Sequence, residues 1–136
     1  NDTLIGAAAD DSLSGGKGID RLTGGDGADV LNGGLGADRF VFLHAADSAP
    51  AAHDLITDLG SDDIIDLKKI DADVGTSGNQ AFHLVEAFGG HAGELTLSYD
   101  AGSNLTSIQG DIDGDGNADL VITATGDHTD FTGFAL

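Results

Sequence analysis

Apolar residues recur at every ninth position along the first 41 residues: Leu4, Leu13, Leu22, Leu31 and Phe40. Neither helical nor simple strand periodicity gives that interval. An aspartate stands two places before each of them, at Asp2, Asp11, Asp20, Asp29 and Asp38. Glycine pairs open three of the units, at Gly15–Gly16, Gly24–Gly25 and Gly33–Gly34, and a third glycine follows at Gly18, Gly27 and Gly36. The unit is therefore GGxGxDxUx, with U apolar. Its glycine half predicts a tight bend with carbonyls turned inward, because glycine tolerates φ > 0 and close backbone approach. Its last three residues predict a short strand with U facing a core.

Two such units make one turn of a parallel coil, so residues two units apart stack on the same edge. Asp2, Asp20 and Asp38 then line one edge, and Asp11 and Asp29 the other. A flexible Gly/Asp-rich linker does not account for the shared register of Asp and apolar residues. The unit GAAADDSLS departs from the pattern: Ala7 and Ala9 stand where glycine is preferred, and alanine resists φ > 0. The N-terminal sites are accordingly the weakest.

After Phe42 the repeat stops. Residues 43–53, LHAADSAPAAH, hold the only proline and predict a connecting loop. Asp47, nine residues beyond Asp38, is placed to lend a ligand to the last stacked site. The run DLITDLGSDDIIDLKKID predicts a strand near Leu55–Leu59, a turn at Gly60–Asp63, and a strand or helical turn through Ile64–Ile70. LTLSY (95–99) alternates as a half-buried strand does. DAGSN is a turn, LTSIQ (105–109) a returning strand, and DLVITAT (119–125) a β-branched run suited to a buried strand. The predicted architecture is all-β: residues 1–42 form a parallel β-roll, and residues 43–136 a small β-sandwich that caps it.

Charge sharpens this picture. The chain carries 24 acidic residues, 22 of them Asp, against 5 Lys and Arg, for a net charge of −19. Such a balance argues against nucleic acid and anionic membrane as partners. It also destabilises a compact state unless cations neutralise it. There is no Cys, which excludes disulfides and thiolate metal sites. No apolar run approaches the ~20 residues of a membrane-spanning helix. No signal-peptide pattern opens the chain, which begins with Asn and reads as a piece of something longer.

The donor set that the repeat gathers is hard oxygen, and calcium takes about six to eight such ligands. Candidate ligands are the bend residues Gly15, Gly16, Lys17, Gly18, Gly24, Gly25, Asp26, Gly27, Gly33, Gly34 and Gly36, with the carboxylates of Asp11, Asp20, Asp29 and Asp38. A second signal is DIDGDGNAD, residues 111–119. Asp111, Asp113 and Asp115 alternate, Gly116 permits a sharp turn, and Asn117 and Asp119 follow. This matches the first half of an EF-hand loop, but Ile122 stands in place of the late Glu and the predicted flanks are strands. It reads as a calcium loop within a β-hairpin, with Asp119 as the late carboxylate.

Catalytic patterns are missing. No H-E-x-x-H pair exists among His44, His53, His83, His91 and His128, and there is no G-x-S-x-G elbow. The chain reads as a non-catalytic module. Arg21 and Arg39, two units apart, would stack into a short outward cationic ladder. That ladder is either surface charge offsetting nearby Asp or a track for an anionic polysaccharide.

The repeats followed by FVF, DLITDLGSDDIIDLKKID, GNQAFHLV, AGELTLSYD and GDIDGDGNADLVI resemble, across nearly the whole chain, the C-terminal domain of serralysin-type metalloproteases. They are also similar to the R-modules of secreted mannuronan C5-epimerases and other RTX tails. The resemblance implies a β-roll plus β-sandwich holding several Ca2+ ions, with glycine-bend carbonyls joining Asp11, Asp20, Asp29 and Asp38 as ligands. It implies an N-terminal catalytic domain as partner. It also implies an uncleaved C-terminal signal read by the type I secretion machinery of a Gram-negative bacterium, carried here by Asp130, Phe131, Phe134 and Leu136. The expected function is a calcium-folded export module of a secreted extracellular protein. The alternative is a carbohydrate-binding module that positions an attached enzyme on alginate-like polymer. An adhesin or surface-layer segment is a third reading, for which many more repeats would be expected.

Overall fold

The computed structural model describes residues Asn1–Leu136 as twelve β-strands and one 3₁₀ turn, Ala45–Ser48. The glycine-rich part supplies β1 (Thr3–Ala8), β2 (Ser12–Lys17), β3 (Arg21–Asp26), β4 (Val30–Leu35) and β5 (Arg39–Val41). Odd strands enter one sheet and even strands the other. All pair in parallel, with Leu4 beside Leu22, Leu22 beside Phe40, and Leu13 beside Leu31. This is the coil of two units per turn. Four of these strands are longer than the repeat alone suggests. Pairing runs on through the glycine pair, with Gly16 beside Gly34 and Lys17 beside Leu35. Stacked units share the same irregular backbone (Gly16 φ 93°, Gly34 φ 96°), so the ladder survives it.

The coil does not end with the glycines. β6 (Asp54–Ile56) pairs in parallel with β4, and β7 (Ile64–Asp66) with β5. Both strands are shorter than the sequence suggests, and the chain turns rather than extends over Lys68 and Lys69. Asp54 and Asp63 repeat the spacing of the earlier aspartates, and Ile56 and Ile65 that of the apolar residues. The intervening loop lengthens the offset between stacked partners from 18 to 25 residues.

The rest comprises β8 (His83–Leu84), β9 (Glu94–Asp100), β10 (Leu105–Asp111), β11 (Leu120–Thr125) and β12 (Phe134–Ala135). β9, β10 and β11 form an antiparallel meander. β11 joins β6 in parallel, with Ala124 beside Ile56, so meander and roll share one seven-stranded sheet. β12 closes the other, five-stranded sheet beside β7. The fold is all-β, with Leu22, Leu31, Phe40, Ile56 and Ile65 of the roll in one core with Leu95, Ile108, Leu120 and Ile122 of the meander. Burying each such side chain contributes about 1.5–3 kcal/mol. Leu4 and Leu13 are only partly buried at the roll's open end.

Candidate metal centres

The aspartates stack into two ladders. On one edge the Asp2 amide donates to Asp20 Oδ1, the Asp20 amide to Asp38 Oδ1 at 2.8 Å, and the Asp38 amide to Asp63 Oδ1 at 2.8 Å. On the other, the Asp11 amide donates to Asp29 Oδ1 at 2.8 Å and the Asp29 amide to Asp54 Oδ1 at 2.9 Å. One oxygen of each accepting carboxylate is thereby pinned. The second behaves differently: Oδ2 of Asp20, Asp29, Asp38 and Asp54 is buried and accepts no hydrogen bond, and the same holds for Oδ2 of Asp11, the donor that opens its ladder. Such atoms are costly to bury, and each calls for a partner. In Asp63 the series closes, because Oδ2 accepts the Gly60 amide at 2.8 Å.

Each bend glycine shows where these oxygens aim. A Cβ on Gly6 would lie 2.6 Å from Asp11 Oδ2, on Gly15 2.8 Å from Asp20 Oδ2, and on Gly33 2.6 Å from Asp38 Oδ2. The carbonyl of the next stacked bend closes in on the same space, Gly24 O at Gly6 and Gly33 O at Gly15. Carboxylate and carbonyl oxygens converge there. That is the donor set of a hard cation such as Ca2+, and the residues fit it.

Electrostatics point the same way. Burial pushes the Asp54 carboxyl up to about 7, helped by the nearby Asp29 and Asp47 charges and opposed by the Asp29 amide. Burial also raises Asp29, with the charges of Asp11, Asp10 and Asp47 adding to it against the Asp11 amide. Asp63 is raised by burial as well, against hydrogen bonds from Gly60 and Asp38 and together with the charges of Asp38 and Asp58. The ladders are short of positive charge.

The sequence-predicted bend residues fall into place around them. Ala7 and Ala9 adopt φ of 87° and 104°, beside Gly25 at 102° and Gly27 at 141°. The Asp26 carbonyl accepts the Ala9 amide at 2.8 Å, and the side chains of Asp26 and Lys17 stay exposed. Buried Asp47 accepts the Leu43 and His44 amides at 2.7 and 3.1 Å through Oδ2. Its charge faces Asp29 and Asp54, but both its oxygens are already engaged, Oδ1 by His44 Nδ1 at 3.2 Å. Three residues escaped the sequence reading: Asp54 and Asp63, whose nine-residue spacing was visible, and Asp58. The last stands where a bend glycine would, and accepts the Gly33 and Gly34 amides at 2.9 and 2.7 Å.

The acidic loop spans the β10–β11 hairpin. Carboxylate oxygens of Asp111, Asp113 and Asp115 lie within 4.8 Å of one another. Fully buried Asp111 organises the turn by accepting the Gly114 amide at 2.7 Å and the Gly116 amide at 2.9 Å. Asn117 turns back to Asp115, and Asp119 accepts the Ile112 amide at 2.8 Å through Oδ2. These two brace the loop beside the cluster.

At the C-terminus Phe131 is buried and meets Phe134 edge-on, ring centres 5.1 Å apart, while Asp130 is exposed and Leu136 packs on the core's margin. Arg21 and Arg39 pair across β3 and β5 as spaced. Arg39 is held by Asp66 at 2.8 Å, and Arg21 has no ion pair.

Known proteins with these features are readily matched. The Metalloprotease AprA of Pseudomonas entomophila is 48% identical over 88 residues, which is 64% of this chain and 18% of that protein. The Metallopeptidase AprA of Pseudomonas marginalis is 43% identical over 88 residues, 17% of its length. The matched part thus spans under a fifth of these relatives. Among solved structures, the AlgE6R2 subunit of the Azotobacter vinelandii mannuronan C5-epimerase superposes with a TM-score of 0.64 at 26% identity, covering 94% of this chain and 81% of that one. The AlgE6R3 subunit gives 0.62 at 28% identity, covering 95% and 79%. The family model of the Peptidase M10 serralysin C terminal matches residues 4–136, and the chain belongs to that family.

Proposed function

We propose that this chain is the calcium-folded C-terminal module of a secreted bacterial protein and carries its type I secretion signal. One observation carries the reading: five buried aspartate oxygens in two stacked registers have no donor, and four of them, in Asp11, Asp20, Asp29 and Asp38, face glycine bends. Asp11, Asp20, Asp29, Asp38 and Asp54 would hold Ca2+ with carbonyls of the bends 15–18, 24–27 and 33–36. Asp111, Asp113 and Asp115 would hold a further ion in the hairpin, with Asn117 and Asp119 bracing them. Bound calcium supplies the positive charge that the ladders lack.

The protein's own part is to hold these carboxylates in position, through amide bonds to Oδ1 that form only in the coil. In a calcium-poor cytosol, repulsion within a chain of net charge −19 opposes coiling, which leaves it able to thread an export channel. Outside, millimolar calcium populates sites of extracellular-module affinity. Each site at ten times its Kd adds about 1.4 kcal/mol, so several coupled sites decide whether the chain folds. Asp130, Phe131, Phe134 and Leu136 form the export terminus, and the catalytic domain that precedes the module in the relatives is its partner. In this division of labour, residues 1–42 together with β6 and β7 are the metal-driven roll, and the remainder of 43–136 is the sandwich that caps it.

The test is far-UV circular dichroism with chelator and with millimolar calcium. The reading expects largely disordered signal in the first and β signal in the second, with magnesium a poor substitute. A β signal unchanged by chelator would refute it.

A second reading has support in the two epimerase-subunit neighbours and in the stacked Arg21 and Arg39: a carbohydrate module for anionic polymer. Arg39 is already neutralised by Asp66, which weakens it. Titration with oligomannuronate, against Arg21→Ala and Arg39→Ala, separates the two.

A further inference from the structure

Five asparagines occur in the chain, and only Asn32 is followed by glycine. Glycine places no side chain between its own amide nitrogen and the preceding residue's Cγ, so this pair is the one most open to ring closure. In the fold, three contacts engage the reacting groups. Asn32 lies in the parallel ladder of β4 beside Ser14 of β2. Its Nδ2 donates to Thr57 Oγ1 at 3.0 Å. The Gly33 amide donates to Asp58 Oδ1 at 2.9 Å, and a carboxylate acceptor disfavours loss of the very proton that must leave.

We propose that Asn32–Gly33 is a spontaneous deamidation site that is open in the unfolded chain and closed by the Asp58 and Thr57 contacts of the folded roll. The Gly33 amide loses its proton and its nitrogen attacks Asn32 Cγ. The N–Cγ bond forms, the Cγ–Nδ2 bond breaks, and Nδ2 leaves as ammonia with the proton restored to it. Water then adds to either carbonyl of the five-membered imide and opens it to aspartate or isoaspartate. One water is consumed, one ammonia released, and no oxidant or metal takes part. Isoaspartate routes the backbone through Cγ, which adds a methylene between fully buried Leu31 and the bend that carries Gly33 and Gly34. That breaks the register tying Asp29 and Asp38 to their partners. The site therefore records time spent unfolded. That calcium operates the lock rests on the function proposed above; the lock itself rests on the fold alone.

The full chain is incubated at neutral pH in calcium, in chelator, and in urea with chelator. Peptide mass mapping reads the amide-to-acid mass gain, methyltransferase labelling reads isoaspartate, and circular dichroism reads the fold in each arm. In urea, conversion concentrates at Asn32 over Asn79, Asn104 and Asn117. In the calcium-folded chain it is at least ~10-fold slower, a protection equal to ~1.4 kcal/mol of opening free energy. Asp58→Asn and Thr57→Val each raise the rate in calcium while the β signal persists, and Asn32→Gln shows no conversion there in any arm. Equal conversion at all asparagines in urea, or equal rates at Asn32 in folded and urea-treated protein, would overturn the proposal. Slow conversion in chelator with an intact β signal would instead refute the calcium reading and leave the lock standing.

Discussion

The two ends of the seven-stranded sheet are held by different physics. At one end β9, β10 and β11 pair antiparallel over Leu95, Ile108, Leu120 and Ile122, all fully buried. Burial supplies most of the cohesion of this part of the sheet. At the other end β2 and β4 are glycine-rich and parallel, and their inner Leu13 is only partly covered. What they have in place of a large core is the carboxylate ladder, which stacks like charges one rung apart. The contrast shows that one continuous sheet can be part hydrophobic protein and part ionic assembly, with β6 as the seam.

The comparison is most severely tested by removing calcium. Hydrogen exchange should show amide protection in β1–β5 collapsing first as calcium is titrated down, with β9–β11 losing protection last. Simultaneous loss at every calcium level would mean that the two ends are one cooperative unit. Next in size are point substitutions. Ile108→Ala should cost about 2–5 kcal/mol by cavity formation in the calcium-folded chain, with calcium stoichiometry unchanged. Asp38→Ala leaves the buried Asp20 amide without its acceptor, which costs about 1–3 kcal/mol, and it should lower calcium stoichiometry too. Asp38→Asn should keep the hydrogen bond and lose only the ion. Denaturant melts with and without calcium separate these outcomes.

Acid should act on the roll with opposite signs in the two states. Without metal, Asp54 titrates at about 7 against an ordinary 3.8, so the folded chain holds the extra proton in that window. Metal-free stability is then highest below the ordinary value and falls as pH rises toward 7. With calcium the carboxylate must be ionised, so acidification weakens binding. Thermal melts across this range in chelator and in calcium should slope in opposite directions. The smallest effect belongs to the degenerate unit. Ala7→Gly and Ala9→Gly remove left-handed strain at φ 87° and 104°. Each should gain ~1 kcal/mol after the added chain entropy is subtracted, read as a lower calcium midpoint. No gain would mean that the bend relaxes around alanine.

Much of this was legible in the sequence because the repeat states its own geometry. Asp20, Asp29 and Asp38 could be placed on their edges from spacing alone, since a stacked coil allows one register. The hairpin around Asp111–Asp119 was equally plain from its turn chemistry. The last rung was hidden by the loss of glycine. Asp58 stands in a glycine's place and does a carbonyl-like job, accepting the amides of Gly33 and Gly34, and no residue-type signal announces that. The loop at 43–53 also broke the period, so Asp54 and Asp63 looked like members of an unrelated strand pair although their spacing of nine was intact. Tertiary stacking, not local composition, decides which aspartates belong to the ladder.

The account stands on cations meeting the free oxygens of the ladders. A crystal grown in calcium, with data collected for its anomalous signal, tests this most directly. Peaks should appear about 2.3–2.6 Å from Oδ2 of Asp20, Asp29 and Asp38. An intact roll in millimolar calcium with no anomalous peak at any of these atoms would contradict it.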